Sequence, residues 1–254
     1  AEGRTRKPER GRLKGLSLAE MGEKVLNPGD WRGKPALSLQ YAQAWQEARA
    51  AGNTVEIGAA PAPEHPARPE APRLCAPKDG AKRKPGSPEG RIALLHAVAH
   101  IELNAVDLHW DIIVRFSETR LPTGFFDDWV QAAAEESKHF NLMCDCLENL
   151  GSFYGALSAH AGMWRAAEDT KTDLLGRLAV VPMVLEARGL DVTPNMIKLF
   201  KQAKETQAVD ALELIYSEEV THVAYGSKWF NFLCGRDDKD PKQVFHALVR
   251  KYFK

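Results

Sequence analysis

Nothing in this chain of 254 residues reads as a membrane span, because no apolar run approaches the roughly 18–20 residues that crossing a bilayer requires. The hydrophobic core segment of a secretory signal is missing near the N-terminus as well. Cysteine is scarce. The four present, Cys75, Cys144, Cys146 and Cys234, include no C-x-x-C pair, which argues against a disulfide scaffold and against a zinc ribbon. Cys144 and Cys146 stand two apart in a helical stretch, point to different faces and read as buried thiols. Period-two alternation bounded by hairpin turns is absent after residue 90, so no strand pair is expected there. Together these absences leave a globular, non-membrane, intracellular protein, in the cytoplasm or in an organelle matrix such as that of a mitochondrion or plastid.

Net charge is absent too, with 34 Lys and Arg against 34 Asp and Glu, but the balance conceals an asymmetry. Residues 1–91 hold 17 basic and 11 acidic side chains, and residues 92–254 hold 17 and 23. The positive charge concentrates in RTRKPERGRLKG (4–15) and KDGAKRKPG (78–86), which could meet RNA phosphate or an acidic protein surface. Between 17 and 50 one short helix is expected in PALSLQYAQAWQEARAAG. Eight of the fifteen prolines then fall between Pro61 and Pro88, which reads as an extended strap, either a linker or a segment laid across the domain surface. Residues 1–86 are therefore assigned to a basic, Pro-rich arm and strap with a short helix. The oligomeric state is not legible.

From Ser87 onward the texture changes. Ser87 followed by Pro88 is a helix-start signature, and apolar residues recur at helical spacing. Four long segments are expected at about 88–116, 125–149, 163–188 and 206–234, with a shorter helix in TPNMIKLFKQAKE and a terminal one in DPKQVFHALVRKYF. Residues 87–254 thus read as an all-α, four-helix bundle domain.

Two stretches of this bundle repeat one pattern, AEESKHF at 134–140 and SEEVTHV at 217–223. Residues three apart on a helix share a face, so Glu136 with His139, and Glu219 with His222, each offer a carboxylate and an imidazole to one point. Glu102 and Glu186 add single carboxylates on stripes expected to face the core. Glu102 precedes Glu136 by 34 residues, and Glu186 precedes Glu219 by 33, so the chain reads as two copies of one helix hairpin. Four glutamates and two histidines projecting inward are the donor set for two metal ions, because four buried carboxylates without cations would repel. Oxygen-rich ligation with one imidazole per ion suits iron, with manganese or a mixed pair as the other options. Glu135 and Glu218, about 100° round from their neighbours, are assigned to hydrogen bonds near the site or to the surface. His109 and Tyr216, on the ligand stripes, are candidate hydrogen-bonding partners of the centre. Trp129, Trp164 and Trp229 read as core, and Pro182 is expected to kink the third segment.

The stretches GSPEGRIALLHAVAHIELNAVDL, DDWVQAAAEESKHFNLM, LGRLAVVPMVLEARGLDVTP and EEVTHVAYGSKWFNFLC resemble the ferritin-like superfamily, and within it the family catalogued as domain of unknown function 455. The resemblance covers roughly residues 66–235. It implies a ferritin-like bundle and a ligand set at Glu102, Glu136, His139, Glu186, Glu219 and His222. It also links the chain, by fold and constellation, to the di-iron tRNA hydroxylases that modify a prenylated adenosine. Three functions are consistent with these features. The first is an O2-dependent di-iron oxidase or oxygenase of the hydroxylase type. The second is a metal-bearing or inactive structural subunit of a larger, RNA-containing or protein assembly, docked through the basic arm. The third is a ferroxidase or iron-handling protein.

Overall fold

A computed structural model describes residues 15–75, 84–160 and 162–253. Most of the two basic stretches, 4–15 and 78–86, lies outside the described residues. Within them the protein is all-α. The strand pairing found there is one two-residue parallel pair, β1 (Leu74–Cys75) with β2 (Ala159–His160).

Two helices form where the sequence pattern marks one. Before α2 (Gly33–Ala50) stands α1 (Leu18–Leu26), and its start is explained by a capping box. The Ser17 hydroxyl accepts from the Glu20 amide at 3.3 Å while the Glu20 carboxylate accepts from the Ser17 amide at 2.7 Å. Pro28, just past the Asn27 cap, closes the helix. The strap beyond α2 lies across the helices rather than away from them. Its carbonyls at Pro63, Glu64 and Ala67 accept from Arg115, Trp164 and Lys34, and Arg68 donates to Asn104 at 2.7 Å.

The long helices α3 (Pro88–Arg115) and α4 (Thr123–Asn149) match the expected bounds closely and pack along each other. The third segment departs from expectation. It breaks into α5 (Gly162–Asp169) and α6 (Leu174–Val180), because Asp173 caps a fresh helix by accepting from the Gly176 amide at 2.9 Å. A wide π-helical turn, Val181–Glu186, then leads straight into α7 (Ala187–Gln202), so the chain stays helical through Gly189. The last two helices are α8 (Thr206–Arg236) and α9 (Pro241–Tyr252).

Two apolar clusters stabilise this arrangement. One joins Leu18, Val25 and Trp45 of α1 and α2 to Trp110, Trp129 and Phe230 of α3, α4 and α8. The other joins Leu95, Phe140, Phe200 and Leu212 of α3, α4, α7 and α8. Burial of such side chains is worth about 1.5–3 kcal/mol each. Along α3, α4 and α8 the residues assigned to metal binding fall where one cluster gives way to the other. The Lys34 ammonium, 2.5 Å from the Asp107 carboxylate, ties α2 to α3 inside the core.

Candidate metal centre

Helical phase delivers the six predicted ligands to one place. Glu102 comes from α3, Glu136 and His139 from α4, Glu219 and His222 from α8, and Glu186 from the end of the π-helical turn. Five of the six are buried, and the Glu219 side chain is 13% exposed. Among the described residues, Glu102, Glu136, His139 and Glu219 each bring a ligand atom within 4.8 Å of the others, and so do Glu186, Glu219 and His222. These groups could hold a metal ion.

Both imidazoles turn Nδ1 toward the carboxylates. His139 Nδ1 lies 3.2 Å from Glu102, 3.6 Å from Glu136 and 3.8 Å from Glu219. His222 Nδ1 lies 3.0 Å from Glu136 and 3.4 Å from Glu219. The opposite nitrogens are held by the first glutamate of each doublet, and the two helices exchange partners. His139 Nε2 stands 2.7 Å from Glu218 of α8, and His222 Nε2 stands 2.7 Å from Glu135 of α4. Those carboxylates are fixed in turn by Lys138, which donates to Glu218 at 2.5 Å, and by Gln131, which donates to Glu135 at 2.6 Å. Each doublet therefore supplies one group to its own side of the cluster and one to the imidazole across it.

The protonation equilibria are strongly displaced. Burial, with the neighbouring Glu219 charge, pushes the Glu136 carboxyl up to about 8. Burial and the Glu136 charge raise Glu102 well above the usual carboxylate range. Burial opposes charging of His222 and His139, yet the carboxylates facing them hold both above an ordinary histidine. Glu219 goes the other way: burial opposes its ionisation, but His222, Glu136 and His139 together hold it below the usual carboxylate range. Three carboxylates thus share the Nδ1 atoms of two imidazoles, and a dication would relieve the repulsion.

His109 is brought to the edge of this cluster, with Nε2 3.1 Å from Glu186 and its ring stacked on Trp129 at 5.4 Å. Tyr216 is half-buried and makes no hydrogen bond or ring contact with the cluster. The tyrosine that does touch it is Tyr225, stacked on His222 at 6.5 Å and edge-on to Trp129 at 6.4 Å. Its position three residues after His222, on the same helix face, was the available signal. A cavity of about 340 Å³ borders Glu102, Glu136, Glu186 and Glu219, and the remainder of its wall is mostly aliphatic.

An all-helical scaffold with a buried carboxylate and imidazole cluster defines a candidate metal-binding helical protein. The chain belongs to the family described as "Protein of unknown function (DUF455)", whose model matches residues 29–254. A Haemophilus influenzae protein described as uncharacterized is 43% identical over 189 residues. That match covers 72% of this chain and 66% of the relative's own length. No solved structure matches the chain. No described helix is long and apolar enough to cross a membrane.

Proposed function

We propose that the protein is a ferritin-like di-iron carboxylate protein, with α3, α4, α8 and the broken third helix forming its four-helix bundle, and that it acts as an O2-dependent oxidase or oxygenase. The observation that carries this reading is a buried carboxylate and imidazole cluster whose converging atoms have too few hydrogen bonds to satisfy them. Among the described residues, both oxygens of Glu136, one oxygen of Glu186 and Nδ1 of His222 are buried without a well-aligned hydrogen bond, although His222 Nδ1 lies 3.0 Å from Glu136. Leaving buried polar atoms unsatisfied costs about 1–3 kcal/mol each, a cost that ligation removes. Ligands on opposite sides of an ion at about 2.0–2.2 Å stand roughly 4.0–4.4 Å apart, close to the 4.8 Å within which each group falls.

Glu102, Glu136, His139 and Glu219 would hold one ion, and Glu186, Glu219 and His222 the other. Glu136 and Glu219, each near both imidazoles, would be shared. Two iron ions, when bound, supply dioxygen activation, with manganese or a mixed pair as the alternatives that an oxygen-rich set accepts. The chain's own residues do the rest. Glu135 and Glu218 fix the imidazole planes so that Nδ1 faces the centre, and His109 holds Glu186. The aliphatic cavity gives a substrate an apolar approach to the carboxylates, which favours substrate oxidation over iron handling.

Elemental analysis of the purified protein tests the reading, followed by oxygen uptake after anaerobic reduction. About two ions per chain and oxygen consumption are expected, with both lost in the Glu136→Ala/Glu219→Ala variant. A chain that binds no metal, or a double variant that still binds two ions, overturns it. Bound metal without oxygen consumption turns the reading to a structural subunit of an assembly.

A further inference from the structure

We propose that the cavity beside the carboxylates binds an aliphatic chain with a single anionic end, held by Arg188. As a substrate assignment this rests on the oxidase reading above; as a binding site it does not.

The composition of the wall selects the ligand. Aliphatic side chains such as Leu94, Ile101, Val192, Met196, Leu212 and Ile215 make up most of it, and among the described residues no aromatic ring, Asn, Gln or Ser takes part. A nucleobase or sugar would find nothing to stack on and few donors to read its edges. The Thr193 hydroxyl, also in the wall, is engaged with the Gly189 carbonyl at 2.8 Å. A flexible hydrocarbon needs neither, and its burial is favourable along the whole wall. At roughly 30 Å³ per water-sized group, 340 Å³ admits about ten carbons.

Charge sets the direction of entry. The four glutamates line one part of the cavity, and Arg188 is the one cation that the described residues place in the wall. Arg188 is exposed and makes no hydrogen bond or ion pair with any described residue. Ile101 and Val192 are also exposed, at 46% and 49%, which places an open apolar mouth on the α3 and α7 side. An anion at the glutamates would be repelled, whereas at Arg188 it finds an unpaired guanidinium. The chain then runs from Arg188 toward Glu102 and Glu186 and presents carbon, rather than its end group, to the centre.

Calorimetric titration of the full chain tests this, with saturated carboxylates of about 6 to 14 carbons and with decyl phosphate, decanol and decyltrimethylammonium as probes. Affinity is expected to rise about fourfold per methylene until the cavity is full. Decanoate or decyl phosphate should bind about fivefold tighter than decanol, and Arg188→Gln should abolish that difference. The tighter of the two anions identifies the end group. A Cβ added at Gly189, in the wall, meets no atom within 4 Å, so Gly189→Leu should fold and shorten the chain that binds best. Failure of every chain to bind, or equal binding of decyltrimethylammonium and decanoate, overturns the proposal. Metal content measured on the same samples separates the two readings. Chain binding without metal retains this site and removes the oxidase reading, and metal without chain binding does the reverse.

Discussion

Each Glu-Glu-x-x-His doublet divides its labour, the second glutamate facing the centre and the first gripping the imidazole of the opposite helix. Removing that grip leaves Nε2 of a buried histidine without its carboxylate and frees the ring to turn. Glu135→Ala or Glu218→Ala is therefore expected to weaken metal binding by about 10–100-fold while leaving the helix content intact. Affinity equal to that of the parent protein, measured by competition with a chelator, would show that the exchange is ornamental. A second buried charge pair makes a stability prediction. Arg177, 1% exposed, donates to Asp111 at 2.6 Å, to the Thr170 hydroxyl and to the Ala167 carbonyl. Asp111→Asn removes the counter-charge of a guanidinium that cannot reach water, and should cost about 3–5 kcal/mol in denaturant unfolding. A loss under about 1 kcal/mol would mean that Arg115, also bonded to Asp111, can release it to solvent. At this scale the convergence of the candidate ligands was legible because a helical face is a property of spacing alone. The exchange of partners between helices was not, since it depends on the relative register of α4 and α8, which no local pattern records.

Among the elements, the π-helical turn Val181–Glu186 has the clearest cause. Pro182 has no N–H to give, and its ring crowds the carbonyl four residues back. The chain widens instead, and the amide of Ala187 reaches the Pro182 carbonyl five residues earlier. The extra residue rotates the helix C-terminal to it and sets Glu186 at the centre's edge. Widening also pushes Pro182 outward, and α8 accommodates it with Gly226, where an added Cβ would lie 2.6 Å from the proline ring. Gly226→Ala is expected to destabilise the fold by about 1–3 kcal/mol and to weaken metal binding on the Glu186 side of the proposed centre, because Glu186 moves with the turn. Unchanged thermal stability together with unaltered metal stoichiometry would sink this account. Pro182 announced a kink in the sequence, but the course of the third segment could not be read from it. Gly189 marks a helix end only as a propensity of about 1 kcal/mol, which packing of α7 against α8 outweighs. The reverse holds for α1: Ser17 and Glu20 stand three apart in the sequence as a capping box requires, a local signal outside the PALSLQYAQAWQEARAAG stretch expected to be helical.

Over the whole molecule, α1 and α2 share an apolar cluster with α3, α4 and α8, so the described helices should unfold together rather than in stages. The candidate metal centre lies between that cluster and the second one, so ligation there would be coupled to global stability instead of to one local segment. An ion bound by the folded chain and ignored by the unfolded one adds about 2.7 kcal/mol when its free concentration is a hundredfold above Kd. For a chain of this size that corresponds to a rise in Tm of about 5–10 °C. Scanning calorimetry of metal-loaded and chelator-treated protein should show one transition in each, displaced by that interval. Two separated transitions would place α1 and α2 outside the cooperative unit. Coincident transitions, with metal demonstrably bound, would mean that the ion sits where unfolding does not release it, and the buried carboxylates of α3, α4 and α8 would then need another partner.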